Sequence, residues 1–286
     1  MRRIYDYQIK ELVKKLCIQA NTVLRRDVFA ALKSALKKEK NKIAKRILSA
    51  IIKNALIAQK EGLAICQDTG MAVIFLEVGQ DLKITGDLYK AIQEGVRQGY
   101  KKGYLRDSIV DPILRNFLDF NPAVIHTEFI KGDRVRITVL PKGFGCENKT
   151  KLRMFNPTVS LKEVEDFIIE TVRSAGPDAC PPFVIGVGIG GTADYACFLA
   201  KKALLKKIPN SKFQIPDKSK FSNFQIFKLE RKLLDEINKL NIGPMGLGGK
   251  TTSLAVNIIT YPTHIAGLPV AINISCHVLR SATEVL

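Results

Sequence analysis

Two hydrophobic periods divide this chain. Over residues 7–60 the apolar side chains recur at intervals of three and four, as at Leu12 and Leu16 and then Ile43, Ile47, Ile51 and Leu56, with no proline among them. That spacing lines one face of a helix, so residues 1–62 are expected as a helical block, with Asn21 and Asp27 as helix starts inside it. Beyond it, short apolar runs bounded by glycine and proline alternate with amphipathic stretches. The fold expected is therefore α/β (mixed α+β), a helical N-terminal block followed over residues 63–286 by a mixed sheet with helices.

Within that second part, residues 71–78 read as a buried strand and residues 88–101 as a helix begun near Thr85. Residues 124–130 and 135–140 alternate about a Lys-Gly-Asp break, which predicts a hairpin. Ser160 with Glu163 makes a capping box for a helix ending at Gly176. Residues 183–187 are expected as a strand with the following glycines as its turn, then a helix over 193–205. An exposed loop at 210–220 leads into a basic helix at 224–240, and strands at 253–260 and 269–275 flank Thr-His-Ile-Ala-Gly. The sequence shows no internal repeat.

At 286 residues and 46% hydrophobic content the chain can bury a sizeable core. No stretch approaches the roughly 20 apolar residues of a membrane span, and the N-terminus lacks a secretory apolar segment, so a cytoplasmic location is expected. The net charge of +18 is concentrated: residues 1–60 hold 16 Lys and Arg against 4 acids, and residues 201–240 hold 11 against 4. Such clusters raise the alternative of a nucleic-acid-binding or scaffold protein. Against it, 31 lysines outnumber 14 arginines and tryptophan is absent. The charges fall at helical spacing opposite Leu and Ile, as solvated helix faces do.

Six scattered cysteines are not the dense framework of a small secreted fold, which fits a reducing compartment. Cys17 and Cys197 lie on helix patterns and read as core. Cys66 (Ile-Cys-Gln-Asp-Thr-Gly), Cys180 (Asp-Ala-Cys-Pro-Pro) and Cys276 (Ile-Ser-Cys-His) sit in turns. Three thiolates of this kind can hold an iron-sulfur cluster and leave one iron open. Spacing does not exclude Cys146 from such a set, and no C-x-x-C pair supports a zinc ribbon. Asp68 stands close to Cys66 in sequence, Arg106 can clamp a carboxylate, and His264 lies in a glycine-bounded loop. Cys276 also lies ten residues from the last one, which points to a site that faces something beyond this chain.

Two glycine motifs carry less. Gly186, Gly188 and Gly191 match a dinucleotide fingerprint, but no acidic residue ends a second strand about 20 positions on. The run from Gly243 to Thr252 resembles a phosphate loop, but its register fails because position 244 is proline. Both remain open to packing turns or to backbone N–H groups that meet an anion.

Taken together, Cys-Gln-Asp-Thr-Gly at 66–70, Leu-Arg-Asp-Ser-Ile-Val-Asp-Pro at 105–112, Ala-Cys-Pro-Pro with its glycine turn at 179–192, the glycine run at 243–252 and the Cys276 strand resemble the class I, iron-sulfur-dependent fumarate hydratases and L(+)-tartrate dehydratases. The resemblance runs from about residue 7 onward, as one α-subunit domain over 1–286. It implies a 4Fe-4S cluster on Cys66, Cys180 and Cys276, at an edge that faces a β subunit. It also implies a small dicarboxylate substrate lined by Gln67, Asp68, Arg106, the turn at 143–145 with Gly145, and His264. Asp68 is then the catalytic acid, a hetero-oligomer such as α2β2 is the working form, and the chain alone is inactive. Cys146 stands where that family is expected to carry serine.

Overall fold

The structure of the chain is a computed structural model that describes residues 1–118, 122–209 and 221–286. The loop expected at 210–220 lies outside the described residues. The chain divides into two compact units: one of Met1–Arg25, Asn54–Phe144 and Arg280–Leu286, the other of Arg26–Lys53 and Gly145–Leu279. The mixed α/β class is as expected, and no described helix is long and apolar enough to cross a membrane.

In the first unit, β1 (Arg2–Tyr5) pairs in parallel with β3 (Leu82–Thr85). A second sheet orders β2 (Met71–Gly79), β4 (Val124–Ile130), β5 (Val135–Lys142) and β10 (Ala282–Val285) as β10-β5-β2-β4. Helices α1 (Asp6–Thr22) and α4 (Leu88–Lys102) pack on each other. They approach closely because Gly95 and Gly99 are bare: a Cβ there would stand 2.7 Å from the Lys10 carbonyl and 2.8 Å from Cys17 Cβ. Ile9, Val13 and Leu16 of α1 and Ile92 and Val96 of α4 share one core with Ile74, Leu76, Ile137 and Val139. Each such side chain stabilises the fold by about 1.5–3 kcal/mol relative to exposure.

Both strands of the expected hairpin form, but not with each other. β2 runs between them, parallel to β4 and antiparallel to β5. Residues 131–134 arch over its end, where Gly79 N–H donates to Arg134 O (2.8 Å), Gln80 N–H to Ile130 O (2.9 Å) and Asp81 N–H to Gly132 O (2.9 Å). The reason is burial: β2 is apolar and enclosed along most of its length, so it takes ladder partners on both edges.

Two helix starts also differ. Asn21 lies in the last turn of α1, where its Nδ2 donates to Cys17 O (3.0 Å). The next helix, α2 (Arg26–Lys38), carries Asp27 in its first turn, and α3 (Lys42–Glu61) follows. Helix α4 is capped by the Asp87 carboxylate, which accepts from Lys90 N–H at 2.9 Å, rather than by Thr85.

The second unit holds α2, most of α3, a short α5 (Phe144–Glu147) at the crossing between units, α6 (Leu161–Ala175), α7 (Ala193–Ala203) and α8 (Phe221–Lys239). Its sheet orders β6 (Lys151–Phe155), β7 (Phe183–Gly191), β8 (Ser253–Thr263) and β9 (Leu268–Ser275) as β6-β9-β7-β8. The Ser160–Glu163 capping box and the Gly176 terminus of α6 are present as expected. The glycines read as the turn after β7 instead continue the strand. A Cβ on Gly186 or Gly188 would stand 2.1 Å from the carbonyl of Ala200 or Ala196, so these two glycines let α7 lie directly on β7. Again a central strand has consecutive strands on its two edges, since β7 is parallel to β8 and antiparallel to β9.

Candidate functional site

In the first unit the loop at residues 66–70 leaves α3 and enters β2. Its Cys66 is partly exposed, Gln67 exposed and Asp68 partly buried. The Asp68 carboxylate is held from two sides: Oδ1 accepts Gly70 N–H at 3.0 Å and Oδ2 accepts Phe144 N–H at 2.8 Å. Gly143 makes room for it, because a Cβ there would stand 2.9 Å from Oδ2. Gly70 adopts φ 73°, and its Cα faces the Lys142 backbone so closely that a Cβ would stand 2.7 Å from that carbonyl carbon.

The loop's carbonyls point to buried donors. Arg280 Nη2 donates to Asp68 O, and the Tyr100 hydroxyl reaches Thr69 O at 3.1 Å and Gly70 O at 2.7 Å. Burial pushes the Tyr100 phenol up, so it stays a protonated donor. The Thr69 hydroxyl donates to Arg106 O at 3.0 Å, which fixes the Arg106 backbone while its side chain stays in solvent. Cys66, Gln67, Asp68, Arg106 and Gly143 are thus gathered in one place.

In the second unit, Cys180 ends the single turn Pro177–Ala179 in a left-handed conformation, φ 54° and ψ 66°. A non-glycine residue there costs on the order of 1–3 kcal/mol and persists only when its neighbours hold it. They do: its N–H donates to Pro177 O (2.9 Å), and its carbonyl takes His277 N–H (3.3 Å) and His277 Nδ1 (3.0 Å). Burial lowers the basicity of His277, which favours the neutral ring that donates from Nδ1. Since Cys276 precedes His277 at the end of β9, and Val184 pairs with Ser275, Cys180 and Cys276 share one end of the sheet. Gly145 is exposed, and a Cβ on it would meet only Asp178 O, at 3.8 Å.

His264 is placed elsewhere. It lies exposed in the arch between β8 and β9, where its Nδ1 accepts Ala266 N–H at 3.2 Å. Cys276 is at the opposite end of β9, about 25 Å away at about 3.3 Å per strand residue. Cys17 is sealed in the core of the first unit with its thiol pushed up to about 12, and Cys146 is buried in the core of the second. Cys197 is half-buried on α7.

All six cysteines are thiols rather than disulfides. Among the described residues no three His, Cys, Asp or Glu side chains stand as a group that would hold a metal ion. An iron-sulfur cluster asks for something different, one thiolate at each of several corners, and the partly accessible turn thiols Cys66, Cys180 and Cys276 have that chemistry. Tyr100, Thr69, Arg280 and His277 were not singled out in the sequence. The one signal was Arg280 after the apolar Val278-Leu279, a charge where burial is expected.

The family described as fumarate hydratase (fumerase) matches residues 10–285. The chain belongs to that family. A Methanocaldococcus jannaschii protein with the provisional name L(+)-tartrate dehydratase subunit alpha is 40% identical over 285 residues, 97% of each chain. The L(+)-tartrate dehydratase subunit alpha of Escherichia coli K12 and that of Shigella boydii serotype 4 are each 27% identical over 281 residues, 96% of this chain and 90% of theirs. This fumarate hydratase family member is a hydro-lyase, and both the loop at 66–70 and the Cys180–Cys276 end lie inside the matched region.

Proposed function

We propose that the chain is the α subunit of an iron-sulfur hydro-lyase that adds or removes water at a small C4 dicarboxylate, and that it works with a β subunit in a cytoplasmic hetero-oligomer such as α2β2. The observation that supports this most is the family match over residues 10–285, which takes in all three turn cysteines. Cys66, Cys180 and Cys276 are the proposed ligands of a 4Fe-4S cluster. When bound, such a cluster supplies a Lewis acid for the hydroxyl that leaves.

The chain's own residues then divide the remaining work. Asp68 is the proposed acid: each carboxylate oxygen accepts one N–H and keeps a lone pair, so the group is fixed yet open to a proton. Arg106, with a tethered backbone and a solvated guanidinium, binds the substrate carboxylate. Gln67 lines the same pocket. Gly145, bare without a packing reason of its own, leaves space for the substrate. The base that takes the C3 proton belongs to the β subunit. His264, a strand's length from Cys276, is left outside this constellation.

Fumarate with malate and L(+)-tartrate are the substrates to test. The name of the family favours the first and the names of the relatives the second. Anaerobic co-expression with a β partner should give a complex that contains iron and sulfide and dehydrates one of the two hydroxy acids. Triple replacement of Cys66, Cys180 and Cys276 by serine should remove both properties. Full activity without iron would overturn the proposal.

A further inference from the structure

Arg280 is only 3% exposed, and of its three guanidinium nitrogens only Nη2 has a partner, the Asp68 carbonyl. Nε and Nη1 are buried without one. A buried cation with a single acceptor is expensive, and an aliphatic side chain of the same length would fill that space at lower cost. Its surroundings are polar as well. Tyr100 feels the charge of Arg280 and the side chain of Asn21, whose own Oδ1 is buried and unpartnered. The Asp68, Thr69 and Gly70 carbonyls are therefore all drawn to one buried donor cluster.

We propose that Arg280 is the positioning residue of the site: it anchors the Asp68 backbone from below so that the carboxylate meets Gly70 and Phe144 N–H and stays aimed at the substrate. It touches no reacting atom and acts through Asp68. Arg280 on the carbonyl and the Gly70 and Phe144 N–H groups on the carboxylate hold one residue through backbone and side chain together. The consequence for turnover rests on the hydro-lyase reading, whereas the anchoring does not.

Arg280→Met removes the donor, and Arg280→Lys keeps the charge with its donors on a single nitrogen. Hydrogen exchange of the full chain is the direct measurement. In Arg280→Met the amides of residues 68–70 and Phe144 should exchange on the order of tenfold faster while α1 and β5 keep their protection, with partial recovery in Arg280→Lys. In the complex with β subunit, kcat should fall on the order of tenfold or more at unchanged KM and iron content. Wild-type exchange and kcat in Arg280→Met would overturn the proposal, and so would faster exchange spread evenly through the unit. If Arg280→Met does not fold, Arg280→Lys against wild type decides by the same readouts. A wild-type complex that dehydrates no dicarboxylate would sink the functional reading, yet the exchange result would still decide the role of Arg280.

Discussion

Asp68 carries a structural role in its two accepted hydrogen bonds and, in the function proposed above, a catalytic one. Its carboxylate ties the loop at 66–70 to the turn at Phe144, so a change there has two effects. In Asp68→Asn one N–H must face an amide nitrogen, which costs about 1–3 kcal/mol. Turnover of the complex should fall on the order of a hundredfold or more, as loss of a general acid typically gives, with iron content retained. Steady-state kinetics beside a thermal melt separate the two, and unchanged kcat would remove Asp68 from the acid's role. Residues of this kind were legible in the sequence because they are polar, lie in turns and cluster within a motif. Arg280 was not, since its meaning depends on residues 280–286 returning to the first unit, which no local pattern announces.

Among the elements, strands and helices were legible where period and caps agreed, as at β2, α6 and β9. Strand neighbours were not. A short polar break between alternating runs ordinarily closes a hairpin, but β2 and β7 are apolar enough to enter between consecutive strands, and burial outweighs the turn. The two sheets thereby share one plan, β10-β5-β2-β4 and β6-β9-β7-β8, although the sequence shows no repeat. Short strands such as β1, β3, β6 and β10 carry too few residues for a period to emerge. The glycine run at 243–252 proves to be a packed turn tied down by Glu39, which accepts Lys250 N–H at 2.8 Å as well as Lys40 and Asn41 N–H at 2.8 and 3.0 Å. Burial alone would raise the Glu39 carboxyl, but these three N–H groups and the Lys250 charge bring it below the ordinary value. A folded-state value below the unfolded one means that the stabilisation is complete above about pH 4.3 and fades as pH falls through the folded value. Glu39→Gln should therefore melt earlier by about 1–2 kcal/mol at pH 7, with the gap to wild type narrowing below pH ~4.

Across the whole molecule, the charge of +18 is the property with the longest reach. A dianion is drawn toward such a surface, and salt shortens the reach of the field from about 10 Å at 0.1 M to about 3 Å at 1 M. For the complex, kcat/KM on a dicarboxylate should decline as ionic strength rises while kcat holds, and a flat kcat/KM would assign the lysines to solvation alone. The order of the chain adds a further consequence. Residues 280–286 lie beyond the whole of the second unit, yet they supply β10 and Arg280 to the first. During synthesis on the ribosome, the second unit has emerged before the sheet of the first can be completed. The anchor beneath Asp68 follows the whole second unit in the chain, so a nascent chain stalled shortly before Arg280 would carry the loop at 66–70 without the residue proposed to hold its backbone.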